Sequence, residues 1–188
     1  MKRITIILIA IISIVSIDAN AQKSFEKGTN LLNAGFGFGY YGYGFGVGTR
    51  SFSVPAITAN YEVGVGDFIG VGPYVGFASW NYRSAGFEGG YSIFAFGGRA
   101  SFHLTDVLLN DALDLGVDPN LDFYGSIIFG FNVDGYTGDF TNNYNNGLSV
   151  SFGPILGFRY YFNDSFGAYI EGGRGTFSYG TIGITVKM

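Results

Sequence analysis

The sequence predicts an all-β protein that closes into an eight-stranded antiparallel barrel crossing a membrane. Three observations lead to this fold class. Apolar and polar residues alternate with a period of two, only 13 % of the residues are charged, and the chain holds 32 glycines and 19 % aromatic residues. Soluble domains carry about 25 % charged residues and about 7 % glycine. An outer surface that faces lipid instead of water accounts for this shortage of charge.

Eight segments of the chain show the alternation. They cover approximately residues 32–40, 57–63, 69–77, 94–104, 122–132, 149–162, 166–171 and 181–188. In chain order, their apolar faces include Phe36, Ile57, Val75, Phe94, Phe129, Phe152, Ile170 and Ile184. The opposite faces hold mainly glycine, serine, threonine and asparagine. Segments of about ten residues separated by turn-like stretches have the length that a membrane-spanning strand needs.

The start of the chain predicts export. Lys2 and Arg3 precede an apolar run over residues 4–17, and Ala19 and Ala21 are small residues of the kind that flank a cleavage site. The apolar run is shorter than the about 20 residues of a membrane-spanning helix. We therefore expect residues 1–21 to be a signal peptide cleaved after Ala21, and residues 22–188 to form one barrel domain.

The charge balance excludes one class of partner. Of 10 basic and 14 acidic residues, the expected mature chain keeps 8 and 13, since Lys2, Arg3 and Asp18 belong to the signal. An acidic chain with so few cations has no electrostatic footprint for nucleic acid. The absence of cysteine excludes disulfides and thiolate metal sites.

Alternation does not by itself say which face is outside, because a soluble lipocalin-like barrel turns its apolar face inward. The second face here is too poor in lysine and glutamate for a water-facing surface. Tyrosine and tryptophan also gather near segment ends, where interfacial girdles lie in membrane barrels; these residues are Tyr40, Tyr41, Trp80, Tyr82, Tyr160 and Tyr161. Both observations favour the membrane.

An even strand number with a periplasmic N-terminus assigns the connections. We expect extracellular loops at about 42–53, 82–90, 134–147 and 173–177, and periplasmic turns at 64–67, 105–120 and 163–165. The turn 105–120 is long, and Val107, Leu108 and Leu115 recur at helical spacing. It predicts a short amphipathic helix with Thr105 as its N-cap.

The end of the chain and several internal stretches carry a resemblance. Thr181, Gly183, Val186 and Met188 resemble the C-terminal signal that outer-membrane barrels present to their insertion machinery, with aliphatic residues in the two usual aromatic places. Residues 67–77, 98–103, 121–125 and 160–162 resemble the small outer-membrane β-barrel family of Bacteroidetes, akin to the OmpA membrane domain. The resemblance implies an eight-stranded barrel in the outer membrane and no particular reaction.

Four charged residues fall on the predicted inner face: Glu62, Arg99, Arg159 and Glu171. Asp122 and Lys187 lie nearer the periplasmic rim. Since a buried charge is costly unless paired, we expect the four to form an ion-pair network across the lumen. A structural plug is the main interpretation, because eight strands leave an interior that side chains nearly fill. A gate that opens a small pore is the alternative.

Other polar residues suggest weaker candidates. Ser101 and His103 share a face, and with Asp122 they invite a serine hydrolase reading, although lipid A deacylases of this barrel type carry histidine before serine. Arg50, Arg83 and Arg174 are candidates for contacts with lipopolysaccharide phosphates. We predict no catalytic residue, no metal site and no cofactor.

The function expected from the sequence is that of a non-enzymatic integral outer-membrane barrel. Its surface loops contribute to envelope structure or adhesion. A narrow porin-like channel for ions or small solutes is the alternative, and a lipid A-modifying hydrolase is a third, less favoured hypothesis. The expected partners are outer-membrane lipids, lipopolysaccharide and the barrel assembly machinery, and the expected oligomeric state is monomeric.

Overall fold

The computed structural model describes residues 24–40, 50–84, 86–142, 145–173 and 178–188. Eight strands in this part of the chain form one closed barrel in sequence order. The strands are β1 (Asn30–Tyr40), β2 (Arg50–Gly64), β3 (Ile69–Ser84), β4 (Phe87–His103), β5 (Leu121–Gly138), β6 (Gly147–Tyr161), β7 (Phe166–Gly173) and β8 (Ser178–Lys187). The predicted signal peptide and its cleavage lie outside the described residues and stay a prediction.

Each strand pairs antiparallel with the next, and β8 closes the barrel by pairing with β1. In that closing ladder Leu31 lies opposite Lys187 and Phe36 lies opposite Ile182. The register shifts between Val54 and Ile57, where β2 faces β3. The predicted eight-stranded antiparallel barrel is therefore confirmed.

The two ends of the barrel differ in the length of their connections. One end, here called the terminal end, carries the start of β1, the end of β8 and the connections 65–68, 104–120 and 162–165. The other, the loop end, carries the β3–β4 and β5–β6 hairpins. Strands β2 to β6 are 15 to 18 residues long, whereas β7 has 8. Because the terminal ends are level, the extra residues extend the hairpins at the loop end.

Three predicted loops are too long as a result. The expected loop 82–90 is mostly strand, since β3 runs to Ser84 and β4 begins at Phe87. Similarly, β5 continues through 134–138 and ends in a 3-10 turn at Asp139–Asn142, and β2 already begins at Arg50. Glycine and polar residues in these stretches resemble loop sequence, but the antiparallel ladder continues through them.

The long terminal-end connection is helical, as predicted, but its geometry and cap differ. Thr105–Ala112 forms a π-helix, in which Leu109 N–H donates to the carbonyl of Leu104. The predicted cap at Thr105 is wrong: its hydroxyl accepts from the Phe123 backbone N–H at 2.7 Å, which ties the helix to β5. Leu108 and Leu115 remain exposed.

Large apolar side chains cover the outside of the barrel wall. Phe36, Phe129 and Phe152 are each more than half exposed, and Leu156 is 72 % exposed. The predicted outward faces of the strands are thus correct. The girdle prediction is wrong for Trp80 and Tyr161, which lie on the inward faces of β3 and β6. No helix within the described ranges is long and apolar enough to cross a membrane.

The lumen has two halves of different chemistry. At the terminal end it holds buried polar and charged side chains, among them Glu62, Arg99 and Arg159. Toward the loop end it is filled by an apolar cluster of Ala56, Tyr74, Ala78, Ile93, Ala95, Ile128 and Ile155. A polar interior inside an apolar exterior is therefore found in the terminal half of the barrel, whereas the loop-end half is apolar inside as well.

Candidate functional site

The four predicted lumen charges all point into the terminal half of the barrel. Glu62 comes from β2, Arg99 from β4, Arg159 from β6 and Glu171 from β7, and each is at least nine-tenths buried. The strand period of two places them inward, and the closed sheet brings strands that are distant in sequence to the same lumen. Arg99 and Glu171 pair with each other, as expected, whereas Glu62 and Arg159 each pair with a residue outside these four.

Arg99 and Glu171 form the first ion pair. Arg99 Nη2 lies 2.6 Å from Glu171 Oε1 and also donates to Ser126 Oγ at 2.9 Å. Arg99 Nε donates to Ser101 Oγ at 3.3 Å, and the Tyr124 hydroxyl donates to Glu171 Oε1 at 2.9 Å. Both charges are thus paired and further hydrogen-bonded, which buried ions require.

The other two predicted charges pair through residues that were expected nearer the barrel mouth. His103 Nε2 lies 2.7 Å from Glu62 Oε1, and His103 Nδ1 lies 2.9 Å from Asp122 Oδ2. Arg159 Nη1 donates to the same Asp122 Oδ2 at 2.7 Å. Asp122 and His103 are buried members of the network, and they lie at the terminal ends of β5 and β4. The sequence indicated their inward parity and their proximity to each other, but not their contacts with Glu62 and Arg159.

The position of His103 between two carboxylates determines its charge. A neutral imidazole has one N–H, so hydrogen bonds from both ring nitrogens to carboxylates require the protonated ring. With His103 protonated, the network contains three cations and three anions: Arg99, His103, Arg159, Glu62, Asp122 and Glu171. Such a balanced set avoids the large cost of an uncompensated buried ion.

Tyr124 is the aromatic centre of the network. Its ring lies under the guanidinium carbons of Arg159 and Arg99, which are 4.7 Å and 5.5 Å from the ring centroid. The inward position opposite it in the register is Gly157, and a Cβ there would overlap the Tyr124 ring. The glycine therefore creates the space that the tyrosine fills. No pattern in the sequence indicates this role.

The residues before β1 close the terminal end of the lumen. Phe25 is buried and stacks on the His103 ring, with centroids 3.6 Å apart and an interplanar angle of 6°. It also packs with Leu31 and Tyr161. The segment is held by a bond from Gly28 N–H to the Gly64 carbonyl at 2.9 Å. The sequence does not predict this N-terminal plug, formed by residues 24–29, because these residues show no strand alternation.

Lys187 belongs to this closure. Its Nζ donates to the Ser24 carbonyl at 3.5 Å and lies 5.5 Å from the centroid of the Tyr161 ring. Ser24 Oγ in turn donates to Asp106 of the π-helix at 3.3 Å. The N-terminal segment, the π-helix and β8 are thus joined at one mouth.

The hydrolase constellation does not assemble. Ser101 Oγ accepts from Arg99 Nε and from Ser126 Oγ, while both ring nitrogens of His103 face carboxylates. A nucleophile–base pair needs a hydroxyl within hydrogen-bond reach of the imidazole, and Ser101 is not engaged with His103. Within the described residues, no group of three or more metal-ligating side chains could hold an ion.

Of the three arginines that are candidates for lipopolysaccharide contacts, the structure describes the side chain of Arg83 alone. Arg83 is exposed at the loop end and pairs with Glu88 across the β3–β4 hairpin. Arg50 lies opposite Arg83 in the β2–β3 register, and its side chain is outside the described part of the chain, as is all of Arg174.

The predicted insertion signal lies on β8 up to Met188, whose N–H donates to the Asn30 carbonyl at 2.9 Å.

These features define a class: a small closed β-barrel with an apolar exterior and an ion-paired interior. Its fold is similar to that of the outer membrane protein OprG from Pseudomonas aeruginosa, with a TM-score of 0.51 and 10 % identity over 89 % of this chain and 99 % of that chain. At that identity the likeness concerns the fold alone.

Two further solved structures align less well. The attachment invasion locus protein Ail of Yersinia pestis has a TM-score of 0.46 and 11 % identity over 86 % of this chain and 95 % of its own. Neisserial surface protein A has a TM-score of 0.39 and 12 % identity over 88 % and 98 %. No protein-family model and no curated protein matches the sequence.

Proposed function

We propose that the protein is a non-enzymatic, integral outer-membrane β-barrel that presents its loop-end hairpins at the cell surface. The observation that carries this proposal is the inverted polarity of the terminal half: exposed phenylalanines outside and paired charges inside. In water this arrangement would expose a continuous apolar surface. A closed sheet pairs its own backbone groups, so it can lie in a bilayer, and the lipid removes its apolar surface from water.

The height of the apolar surface fits a bilayer. On β5 the outward positions from Phe123 to Val133 are apolar or glycine, and they are followed by Gly135 and Thr137. Ten steps of about 3.3 Å, tilted by about 40°, span about 25 Å, which matches the apolar band of outer-membrane barrels. On β3 the outward face likewise changes after Phe77, to Ser79 and Asn81.

The hairpins that extend beyond this apolar band are the part of the protein that would be exposed at the cell surface. About six residues of β3, β4 and β5 continue past the apolar band, or about 20 Å along the strand. This length supports a role in adhesion or envelope structure rather than in transport alone. Arg83 and Arg50 lie at this end and remain candidates for binding lipopolysaccharide phosphates. A phosphate would compete with Glu88 for Arg83.

A narrow channel is the second candidate, and one observation supports each side. The polar terminal half of the lumen resembles a pore lining, but its charges are paired and the mouth is covered by Phe25.

A lipid A-modifying hydrolase has less support, since Ser101 and His103 are not hydrogen-bonded to each other. Lipid A mass spectra from cells with and without the gene test this: a changed acyl pattern would contradict the non-enzymatic role.

Membrane fractionation combined with electrophoresis tests the proposal directly. The protein is expected in the outer-membrane fraction and should resist extraction by high salt, since burial in lipid and not charge holds it there. In detergent gels, unheated and boiled samples should migrate differently, because a closed barrel stays folded until heated. A soluble protein with one mobility would contradict the proposal.

A further inference from the structure

The connection between β4 and β5 exposes leucine side chains at the terminal end of the barrel. Leu108 is 43 % exposed, Leu113 is 56 % exposed and Leu115 is 60 % exposed. All three belong to residues 104–120, here called the rim segment. A group of large apolar side chains on a protein surface usually marks an interaction site. The rim segment is therefore a candidate contact surface.

The exposed leucines belong to a hydrogen-bonded structure. Leu115 N–H donates to the Leu109 carbonyl at 2.9 Å. The Asn110 side chain closes the turn that follows the π-helix, since it accepts from the Val117 N–H at 2.7 Å and donates to the Val117 carbonyl at 3.2 Å. The backbone around Leu113 and Leu115 is thus fixed, and it holds both side chains away from the interior.

The rim segment begins and ends at the edge of the apolar band. Leu104 N–H donates to the Phe123 carbonyl at 2.7 Å, and Phe123 N–H donates to Thr105 Oγ at 2.7 Å. Phe123 and Phe102 are both exposed on the outer wall. The segment leaves the wall within two residues of either ring, which is about 7 Å along the strand. Its surface is therefore continuous with the surface that faces lipid.

The π-helix presents different chemistry on its two sides. Asp106 faces the mouth of the barrel, where Ser24 Oγ donates to its carboxylate at 3.3 Å. Leu108 lies two residues further on, or about half a helical turn away. Leucine is thus on the side of the helix that points away from the mouth, and the polar contact is on the side that closes it.

The charge of the rim segment selects among lipids. It contains four aspartates, no lysine and no arginine, and Asp111, Asp114 and Asp118 are exposed. Interfacial helices that are rich in lysine and arginine bind anionic lipids. Aspartates favour the opposite partner, a headgroup with an ammonium group, because a carboxylate accepts charge-assisted hydrogen bonds from it.

We propose that the rim segment is an interfacial anchor for the membrane leaflet at the terminal end. Leu113 and Leu115 insert into this leaflet, and the neighbouring aspartates bind ammonium groups of zwitterionic phospholipids. The inference rests on the proposed outer-membrane location. Amphipathic segments of this kind bury their apolar side about 5–10 Å into the boundary between headgroups and acyl chains. A protein partner is the competing occupant, and continuity with the apolar band favours lipid.

Spin labels on single cysteines measure the depth of each position. The chain has no cysteine, so Leu113→Cys, Leu115→Cys, Asp118→Cys and Phe129→Cys each carry the same nitroxide alone. In vesicles of phosphatidylethanolamine and phosphatidylcholine, collisions with oxygen are compared with collisions with a water-soluble nickel complex. We expect the labels at positions 113 and 115 about 5–10 Å inside the boundary. The matched label at position 118 should lie in water, and the label at position 129 near the bilayer centre.

Replacing part of the lipid with phosphatidylglycerol tests the role of the aspartates. Like charges repel, so the labels at positions 113 and 115 should move toward the water in these vesicles. Asp111→Asn combined with Asp114→Asn should abolish that shift. Asparagine tolerates the left-handed backbone of Asp114, whose φ is 51°. The heat-induced gel shift verifies that each variant is folded.

Two results would overturn the anchor. The first is equal access of the nickel complex to positions 113, 115 and 118 while position 129 is deep, which would assign the leucines to a protein partner in water. The second is a depth at positions 113 and 115 that phosphatidylglycerol does not change. A label at position 129 that is exposed to water would contradict the proposed membrane location itself, so the two failures are distinguishable.

Discussion

Removing Arg99 tests whether the buried charges depend on one another. In Arg99→Met the chain loses the ion pair to Glu171 at 2.6 Å and the hydrogen bonds to Ser126 and Ser101. Among the described residues, Glu171, which is 8 % exposed, then keeps the Tyr124 hydroxyl as its donor. Breaking one partner of a buried pair costs about 3–5 kcal/mol, because an uncompensated charge stays behind. We expect the free energy of unfolding to fall by that amount.

The double variant Arg99→Met/Glu171→Gln isolates the pairwise contribution. Glutamine keeps an acceptor for Tyr124 but removes the orphaned charge, so most of the loss should be recovered, to within about 1–2 kcal/mol of the parent. Glu171→Gln alone leaves Arg99 buried without its counter-charge and should also cost about 3–5 kcal/mol, so a double-mutant cycle gives a coupling energy of at least about 4 kcal/mol. Arg83→Met, at an exposed pair, serves as the control and should leave the unfolding midpoint close to that of the parent.

Urea unfolding in lipid vesicles measures these free energies, with the folded fraction read from gel mobility. The reasoning is refuted if Arg99→Met unfolds within about 1 kcal/mol of the parent, since a buried pair cannot be broken so cheaply. It is equally refuted if the losses of the two single variants simply add in the double variant.

Three further perturbations probe other parts of the barrel. Phe25→Ala removes the ring stacked on His103 and should cost about 3 kcal/mol in urea unfolding; an unchanged midpoint would show that the N-terminal segment does not close the mouth. Gly157→Ala places a Cβ in the Tyr124 ring and should cost about 1–3 kcal/mol, whereas Gly125→Ala, whose Cβ meets a Leu156 methyl at 3.7 Å, should be tolerated. Equal losses for the two glycines would contradict the packing around Tyr124. Phe129→Arg in the apolar band should destabilise by about 2–4 kcal/mol and Asn81→Arg above it by about 0–1 kcal/mol; the reverse order in vesicle unfolding would misplace the membrane.

Much of this fold could be predicted from the sequence, because a β-strand has an exact physical period. Alternation with a period of two assigns each residue to one face, so Glu62, Arg99, Arg159 and Glu171 could be placed inside before any contact was known. The same rule placed Phe129 and Phe152 outside. A closed barrel also leaves few alternatives once the strand number is known.

What could not be predicted depends on contacts between distant parts of the chain. Whether His103 pairs with Glu62 and Asp122 depends on how three strands meet across the lumen, and no local pattern records that. The position of Trp80 near a strand end predicts a place in the girdle, yet its parity matches the inward Tyr74 and Ala78. The sequence predicts loops where the hairpins extend, because local propensity for strand is weak where glycine and polar residues dominate.

The N-terminal plug shows a second limit. Residues 24–29 have no periodicity, and their structure comes from tertiary contacts: Phe25 with His103, and Gly28 with Gly64. Local sequence carries no signal for a defined structure there. Only the arrangement of the mouth around the segment gives it a defined position.

Accessibility of single cysteines in intact cells tests the central claim most directly. The chain has no cysteine, so Asn81→Cys at the loop end, Phe129→Cys in the apolar band and Asp118→Cys at the terminal end can each be labelled alone with a membrane-impermeant maleimide. An outer-membrane barrel in the proposed orientation predicts labelling at position 81 in intact cells, at position 118 only after the outer membrane is permeabilised, and at position 129 in neither case. Equal labelling at all three positions, or labelling at position 118 but not at position 81 in intact cells, would contradict the account.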